Sequence, residues 1–359
     1  MKVLTVAGAR PQFVKAAAFS RELRKSHSEV LVHTGQHYSP ELSDVFFREL
    51  DIPAPDHHLG VGSASHGRQT AQMLERLEPV LEKEAPDWVV VFGDANSTLA
   101  GALAAAKLNI PLAHVEAGLR SFDRSMPEET NRIVVDHVAD LLFAPTQTAI
   151  EHLAREGLAG RAHLTGDIMY DSLLQHAERA EAQSDVLARL GLERGGYALA
   201  TVHRAANTDD PAAFASLIDA LSLLDGPIVF PMHPRARLAL SRSDLETPPS
   251  VRVIEPAGYL DMLSLERHAR VVLTDSGGVQ KEAYLLAVPC VTLRQETEWP
   301  ETLEGGWNVL AGTDPDGIVE AAARSRPAGE PPKVFGDGQS AGRMIELLEH
   351  DPPHSRCLS

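Results

Sequence analysis

The chain has 359 residues, 43% of them hydrophobic and 23% charged, an ordinary globular balance that suits one or two domains. A formal net charge of −17 excludes a broad phosphate-neutralising surface, so nucleic acid is not an expected partner. The two cysteines, Cys290 and Cys357, support neither a disulfide scaffold nor a zinc site, and no apolar run reaches the roughly 18 residues a membrane span needs. The first apolar stretch is too short for a secretory leader, so the expected compartment is the cytoplasm.

In chain order, short β-rich apolar runs at residues 3–7, 30–33, 88–92, 112–115 and 141–144 alternate with amphipathic stretches at 11–23, 66–83, 97–107 and 146–156. Strands alternating with helices predict βαβ units and a parallel sheet. The pattern restarts with runs at 197–202, 228–230, 251–254, 271–274 and 290–293 and helical stretches at 212–224, 260–268, 279–287 and 315–325. The reading is α/β: two Rossmann-like doubly wound domains facing a cleft, residues 1–170 and 171–359. The junction falls in the polar region 171–196. A last helix at 341–350 can pack on either domain, after a flexible Pro-rich lead-in at 326–332.

Open α/β sheets bind ligands beyond the carboxyl ends of their strands, so residues just after strands are the informative ones. After the first strand, Gly8-Ala9-Arg10-Pro11 combines a tight turn, an arginine and a helix start, a ready anion site, with Lys15 one turn further in. Gly93-Asp94 follows the third run and His114-Val115-Glu116-Ala117-Gly118-Leu119-Arg120 spans the fourth. Met126-Pro127-Glu128-Glu129-Thr130-Asn131-Arg132 starts a helix. Singly, Asp94 reads as a helix cap and Glu128 and Glu129 as dipole-matching acids. Asp94, Glu116 and Glu128 together at element ends of one domain point to acid–base chemistry. In the second half His203-Arg204 and His233 end strands. Thr274-Asp275-Ser276-Gly277-Gly278 then puts bare N–H groups at a helix mouth, where a diphosphate fits, with Glu282 a turn along. The pairs His57 with His58 and His33 with His37 lack acid or cysteine partners at ligand spacing, so no metal is expected.

Together these motifs resemble the non-hydrolysing UDP-N-acetylglucosamine 2-epimerase family, along nearly the whole chain to Val334-Phe335-Gly336-Asp337-Gly338-Gln339. The resemblance implies a glycosyltransferase-B type fold and a chemistry without nicotinamide or metal. A base removes the C2 proton as UDP leaves C1, and UDP adds back as a proton returns from the other face. It implies Asp94, Glu116 and Glu128 as acid–base carboxylates and His203 as the residue that helps UDP depart. Arg10, Ser276, Gly277 and Gly278 match diphosphate contacts, Glu282 a ribose contact and Lys15 a support for Glu116; Arg132, Arg204, His233 and Met262 complete the expected substrate-binding set. The implied partners are a UDP-sugar and a second copy of the chain.

Departures from the pattern concern the sugar. Gln12 stands where many members have Glu, Ala95 where many have Thr, and Ala205-Ala206-Asn207 where many have Arg-Glu-Asn. Trp299 stands where many have Arg, and residues 121–126 look like a branch that includes epimerases for diacetamido uronic acids. Gln36, Arg68 and Gln69 match part of a second-substrate activator pattern from which Ser39 departs. Three alternatives are a hydrolysing epimerase releasing N-acetylmannosamine and UDP, a glycosyltransferase of the same fold, and a non-catalytic sugar-nucleotide sensor.

Overall fold

A computed structural model describes residues 1–35 and 54–350 of the protein, without the Arg10 side chain. Gln36, His37, Ser39 and Cys357 lie outside the described residues. The chain divides into two compact units, Met1–Leu174 with Lys333–Ser359, and Gln175–Pro332.

The first unit runs β1 (Lys2–Ala7), α1 (Arg10–Leu23), β2 (Ser28–His33), β3 (His57–His58), α2 (His66–Glu84), β4 (Trp88–Phe92), α3 (Asn96–Lys107), β5 (Leu112–Val115), α4 (Pro127–Val138), β6 (Leu141–Ala144), α5 (Gln147–Arg155), β7 (Ala162–Leu164) and α6 (Ile168–Gln183). Among the described residues its seven strands lie in the order β3-β2-β1-β4-β5-β6-β7, every pair parallel. Alternation along the strands fills both faces, as a parallel sheet covered by helices requires. Leu4, Val6, Val89 and Val91 join one core, while Val3, Trp88, Val90 and Phe92 join the other.

The chain leaves this unit inside α6. The second unit holds α7 (Val186–Leu190), β8 (Ala198–Thr201), α8 (Ala205–Thr208), α9 (Pro211–Leu223), β9 (Ile228–Pro231), α10 (Pro234–Ser241), β10 (Val251–Ile254), α11 (Tyr259–Arg267), β11 (Val271–Thr274), α12 (Gly277–Leu285), β12 (Cys290–Thr292), β13 (Asn308–Leu310) and α13 (Pro315–Ala322). Its parallel sheet runs β10-β9-β8-β11-β12-β13, with Ala198 and Ala200 facing one core and Tyr197 and Leu199 the other. In each sheet the strand order reverses once, between β1 and β4 and between β8 and β11, and a crevice forms at such a reversal.

The final helix, α14 (Ser340–His350), packs on α1 through Ala341, Met344, Ile345 and Leu348. The Asp171 carboxylate accepts the Ser340 and Ala341 N–H groups at 3.0 and 2.8 Å, capping its first turn. The last helix thus lies with the first unit, one of the two placements left open for it. The Pro-rich segment expected to be a flexible lead-in has ties of its own. The Tyr284 hydroxyl donates to the Pro332 carbonyl at 2.8 Å, and the Arg326 guanidinium stands 5.4 Å from the Trp307 ring centroid. The strands β3, β7 and β13 were not anticipated; each has only two or three residues, too few to carry a periodic pattern.

Candidate functional site

In the first unit the informative side chains gather where β1, β4 and β5 end. Lys15, on α1, forms a buried ion pair with Glu116, whose side chain is 9% exposed. Glu116 follows β5 directly and has φ +73°, a left-handed conformation costing a non-glycine residue of order 1–3 kcal/mol. Its N–H and that of Ala117 both donate to the Phe143 carbonyl at 3.1 Å, which turns the chain out of the strand. Gly93 keeps the space open: at φ +60° a Cβ there would lie 3.2 Å from Glu116 Oε2 and 3.3 Å from Lys15 Nζ.

Asp94 follows Gly93. Arg132 Nε and Nη2 donate to its Oδ2 at 3.0 and 2.6 Å, and Asn131 donates to its carbonyl at 2.7 Å. The expected helix-cap role does not fall on Asp94, because the cap position of α3 is Ala95. Burial would pull the Arg132 guanidinium down, yet Asp94 and Glu129 hold it above its ordinary value. Glu129 turns inward, accepting from the Ser121 and Phe122 N–H groups and from Arg132 at 2.9 Å. Burial raises its carboxyl, and these bonds outweigh that and leave it below its ordinary value. Glu128, in the same first turn, is half-buried, and among the described residues its carboxylate has no hydrogen-bond partner. Glu129 is thus structural, while Glu128 is left available.

In the second unit the site straddles the reversal between β8 and β11. Asp275 is fully buried and accepts from the His203 and Arg204 N–H groups at 3.0 and 2.9 Å and from Asn207 Nδ2 at 3.1 Å. Its Oδ1 stands 3.2 Å from His203 Nδ1, orienting the ring. Burial opposes the charge on Asp275, but the His203 contact and the N–H bonds hold its carboxyl below the ordinary range. His233 lies 5.5 Å from His203 between ring centroids; burial first, then His203, lowers its imidazole. Ser276 Oγ caps α12 by accepting the Val279 N–H, and Gly277 and Gly278 give its first turn no side chains. A helix mouth, two histidines and Arg204 are what a diphosphate needs. Glu282 is buried one turn along, with the Tyr259 hydroxyl donating to its Oε1 at 3.4 Å.

The remaining expected residues have other surroundings. Met262 packs against the core of its unit. Arg10 opens α1, its side chain outside the described residues. Arg68 is exposed, and Gln69 is buried, accepting from Asn96 at 2.8 Å and donating to the Gly62 carbonyl at 3.1 Å. Trp299 is buried beneath Lys281, whose ammonium lies 3.9 Å from the ring centroid, a cation–π contact.

A family model described as UDP-N-acetylglucosamine 2-epimerase matches residues 21–349. The chain belongs to that family. It is 48% identical to a Methanococcus maripaludis protein named UDP-N-acetylglucosamine 2-epimerase homolog, over 98% of this chain and all of that one. It is 47% identical to a Pseudomonas aeruginosa UDP-2,3-diacetamido-2,3-dideoxy-D-glucuronate 2-epimerase, over 97% of this chain and 99% of that one. The crystal structure of Methanocaldococcus jannaschii UDP-GlcNAc 2-epimerase in complex with UDP-GlcNAc and UDP is similar at TM-score 0.86 and 42% identity, covering 98% of this chain and all of the other. The two parallel sheets flanked by helices are the α/β arrangement expected from the sequence.

In this epimerase-family chain two residues tie the site together by contacts the sequence did not show: Asp136, which went unremarked, and Gln12, which stood out only as a departure from the family pattern. Asp136, on α4, is wholly buried and accepts from Arg120, from the Gly118 N–H at 3.1 Å and from His114 Nδ1 at 2.7 Å. His114 Nε2 in turn donates to the Gly93 carbonyl at 2.8 Å, so one carboxylate ties together the turns carrying Asp94 and Glu116. Burial works against its charge, and the His114 and Arg120 contacts nonetheless hold it below the ordinary value. Gln12 accepts from the Gly8 and Ala9 N–H groups and the Ser97 hydroxyl and donates to the Phe92 carbonyl and Thr98 Oγ1. Its amide makes both donations, which an ionised carboxylate could not make. The available signal was a polar residue inside an apolar face, at Gln12 and Asp136 alike.

Proposed function

We propose that the chain is a non-hydrolysing 2-epimerase that interconverts UDP-N-acetylglucosamine and UDP-N-acetylmannosamine, or a closely related UDP-2-acetamido sugar. The observation that carries the reading is the grouping of Lys15, Glu116, Asp94 and Arg132 at the strand ends of the first unit. Proton abstraction needs a carboxylate held in place with its charge supported, and this cluster supplies two. In the second unit, His203 with Asp275 behind it, and the turn Ser276–Gly278, suit a departing diphosphate.

A carboxylate takes the C2 proton. The C2–H electrons form the C1=C2 double bond, and the C1–O bond breaks with its pair going to UDP. UDP then returns to C1 as an acid delivers a proton to C2 from the opposite face. A C2 proton beside an acetamido group is weakly acidic, so stabilising the leaving diphosphate carries much of the barrier, with each well-placed donor contributing about 2.7–4 kcal/mol. Glu128 is the third candidate for the proton relay, supported by its accessible carboxylate at the start of α4. Arg10, Lys15, Arg132, Arg204, His233, Met262, Ser276, Gly277, Gly278 and Glu282 are the proposed substrate-binding set. The resemblance further supports a cytoplasmic homodimer serving polysaccharide biosynthesis. Among the described residues no helix is long and apolar enough to cross a membrane.

The deciding experiment is NMR of UDP-N-acetylglucosamine with the protein in deuterated water, repeated with UDP-2,3-diacetamido-2,3-dideoxy-D-glucuronate. The expected result is the C2 epimer, with deuterium at C2 and UDP still attached. Free UDP accumulating in step with free sugar, or the absence of C2 exchange with both sugars, would overturn the reading.

A further inference from the structure

The mouth of α12 already holds an anion, supplied by the chain itself. Glu298 follows β12, and Arg294 Nη1 donates to its Oε2 at 2.6 Å while Arg204 Nη2 donates to its Oε1 at 3.0 Å. The carboxylate lies against Gly277, the first residue of α12: a Cβ built there would meet the Glu298 carboxyl carbon at 2.8 Å. Burial opposes the charge, but Arg294 and then Arg204 keep the carboxyl below its ordinary value. Its chain neighbours are pinned. The Thr297 hydroxyl donates to Gln280 Oε1 on α12 at 2.7 Å, and Trp299 is buried under Lys281. The backbone beside Glu298 is therefore anchored to α12, while its side chain is 33% exposed and held by hydrogen bonds from the two arginines.

We propose that Glu298 is an internal anion that competes for the diphosphate cradle, and that a nucleoside diphosphate binds by displacing it and taking over Arg204 and Arg294. The proposal rests on reading Ser276–Gly278 as that cradle. Two anions at one helix mouth repel strongly at contact distance, so ligand phosphate and Glu298 exclude each other. Glu298 then sets a charge threshold: a diphosphate outcompetes the carboxylate, and a ligand with no anionic charge gains nothing from its removal. A cradle open about a tenth of the time binds about tenfold more weakly than one permanently open.

The test is calorimetric titration of UDP, inorganic pyrophosphate and uridine into the full chain and its variants Glu298→Gln and Glu298→Ala, the second guarding against a fold-specific defect in the first. Both variants should bind UDP and pyrophosphate about tenfold more tightly, with uridine unchanged. UDP affinity equal to or below that of the unaltered chain in both variants overturns the proposal and makes Glu298 a support for the arginines instead. Gly278→Val and His203→Ala separate the two levels. If either weakens UDP, the cradle stands whatever Glu298 does; if neither does, the cradle reading falls and takes this proposal with it.

Discussion

Asp136→Asn tests whether one buried carboxylate organises the proposed acid–base cluster. Asp136 accepts from an imidazole, a guanidinium and a backbone N–H, all at 2.7–3.1 Å, with no exposure of its own. Asn keeps one acceptor but turns an NH2 group toward a donor. The NH2 then faces either His114, which keeps only the Gly93 carbonyl, or Arg120, which keeps Glu156, and breaking a buried pair costs about 3–5 kcal/mol. The lower end applies, since Asn retains a bond, and about 3 kcal/mol corresponds to roughly 6–12 °C in Tm for a unit of this size. The second unit should keep its own transition. Because His114 also holds the Gly93 carbonyl, the Asp94 turn and the Glu116 turn should both loosen. A displacement of about 1 Å at a reacting group costs on the order of a hundredfold in rate. Asp136 itself faces only protein groups, so kcat should fall while KM holds. Differential scanning calorimetry and the epimerisation assay read both effects. A Tm drop under about 2 °C together with kcat within threefold of the unaltered chain would refute the network.

The other predictions follow from single contacts. Lys15→Met removes the cation paired with the buried Glu116 carboxylate and should lower kcat at least about a hundredfold, measured by epimer formation at saturating substrate. Asp94→Asn, Glu116→Gln and Glu128→Gln should each cost about a hundredfold in turnover, and near-normal rates in all three would remove them from the chemistry. Asp275→Asn releases the His203 ring and should cost at least about tenfold in kcat, read beside UDP affinity by titration. Burial, and then His58, lowers the His33 imidazole from 6.5 to about 4. Below about pH 6.5 the unfolded chain takes up a proton the folded chain refuses, so stability falls as pH drops from about 6.5 to about 4, by up to about 3 kcal/mol. Above that window both states are neutral and His33 contributes nothing to the slope. His33→Gln should make urea-unfolding stability less sensitive to pH there; an unchanged slope refutes the assignment.

The sequence by itself determined the elements and their kind. Apolar runs such as Val89-Val90-Val91 can be buried on both faces only in a helix-covered parallel sheet, and Gly93, Pro127 and Gly277 mark turns that only certain backbones allow. Strand-end position was enough to single out Asp94, Glu116, His203 and Ser276. Sequence spacing did not decide which polar groups meet, because those contacts come from different elements. Glu129 and Glu128 are neighbours, yet one is consumed by Ser121, Phe122 and Arg132 while the other stays open. Asp136 and His114 are 22 residues apart and Glu298 and Arg204 are 94 apart, so no local pattern pairs them. Local periodicity fixes a strand or a helix through backbone sterics. The partner of a buried charge is fixed only when the sheet order brings distant turns within hydrogen-bond reach, and that is where the tertiary structure decided this protein's candidate chemistry.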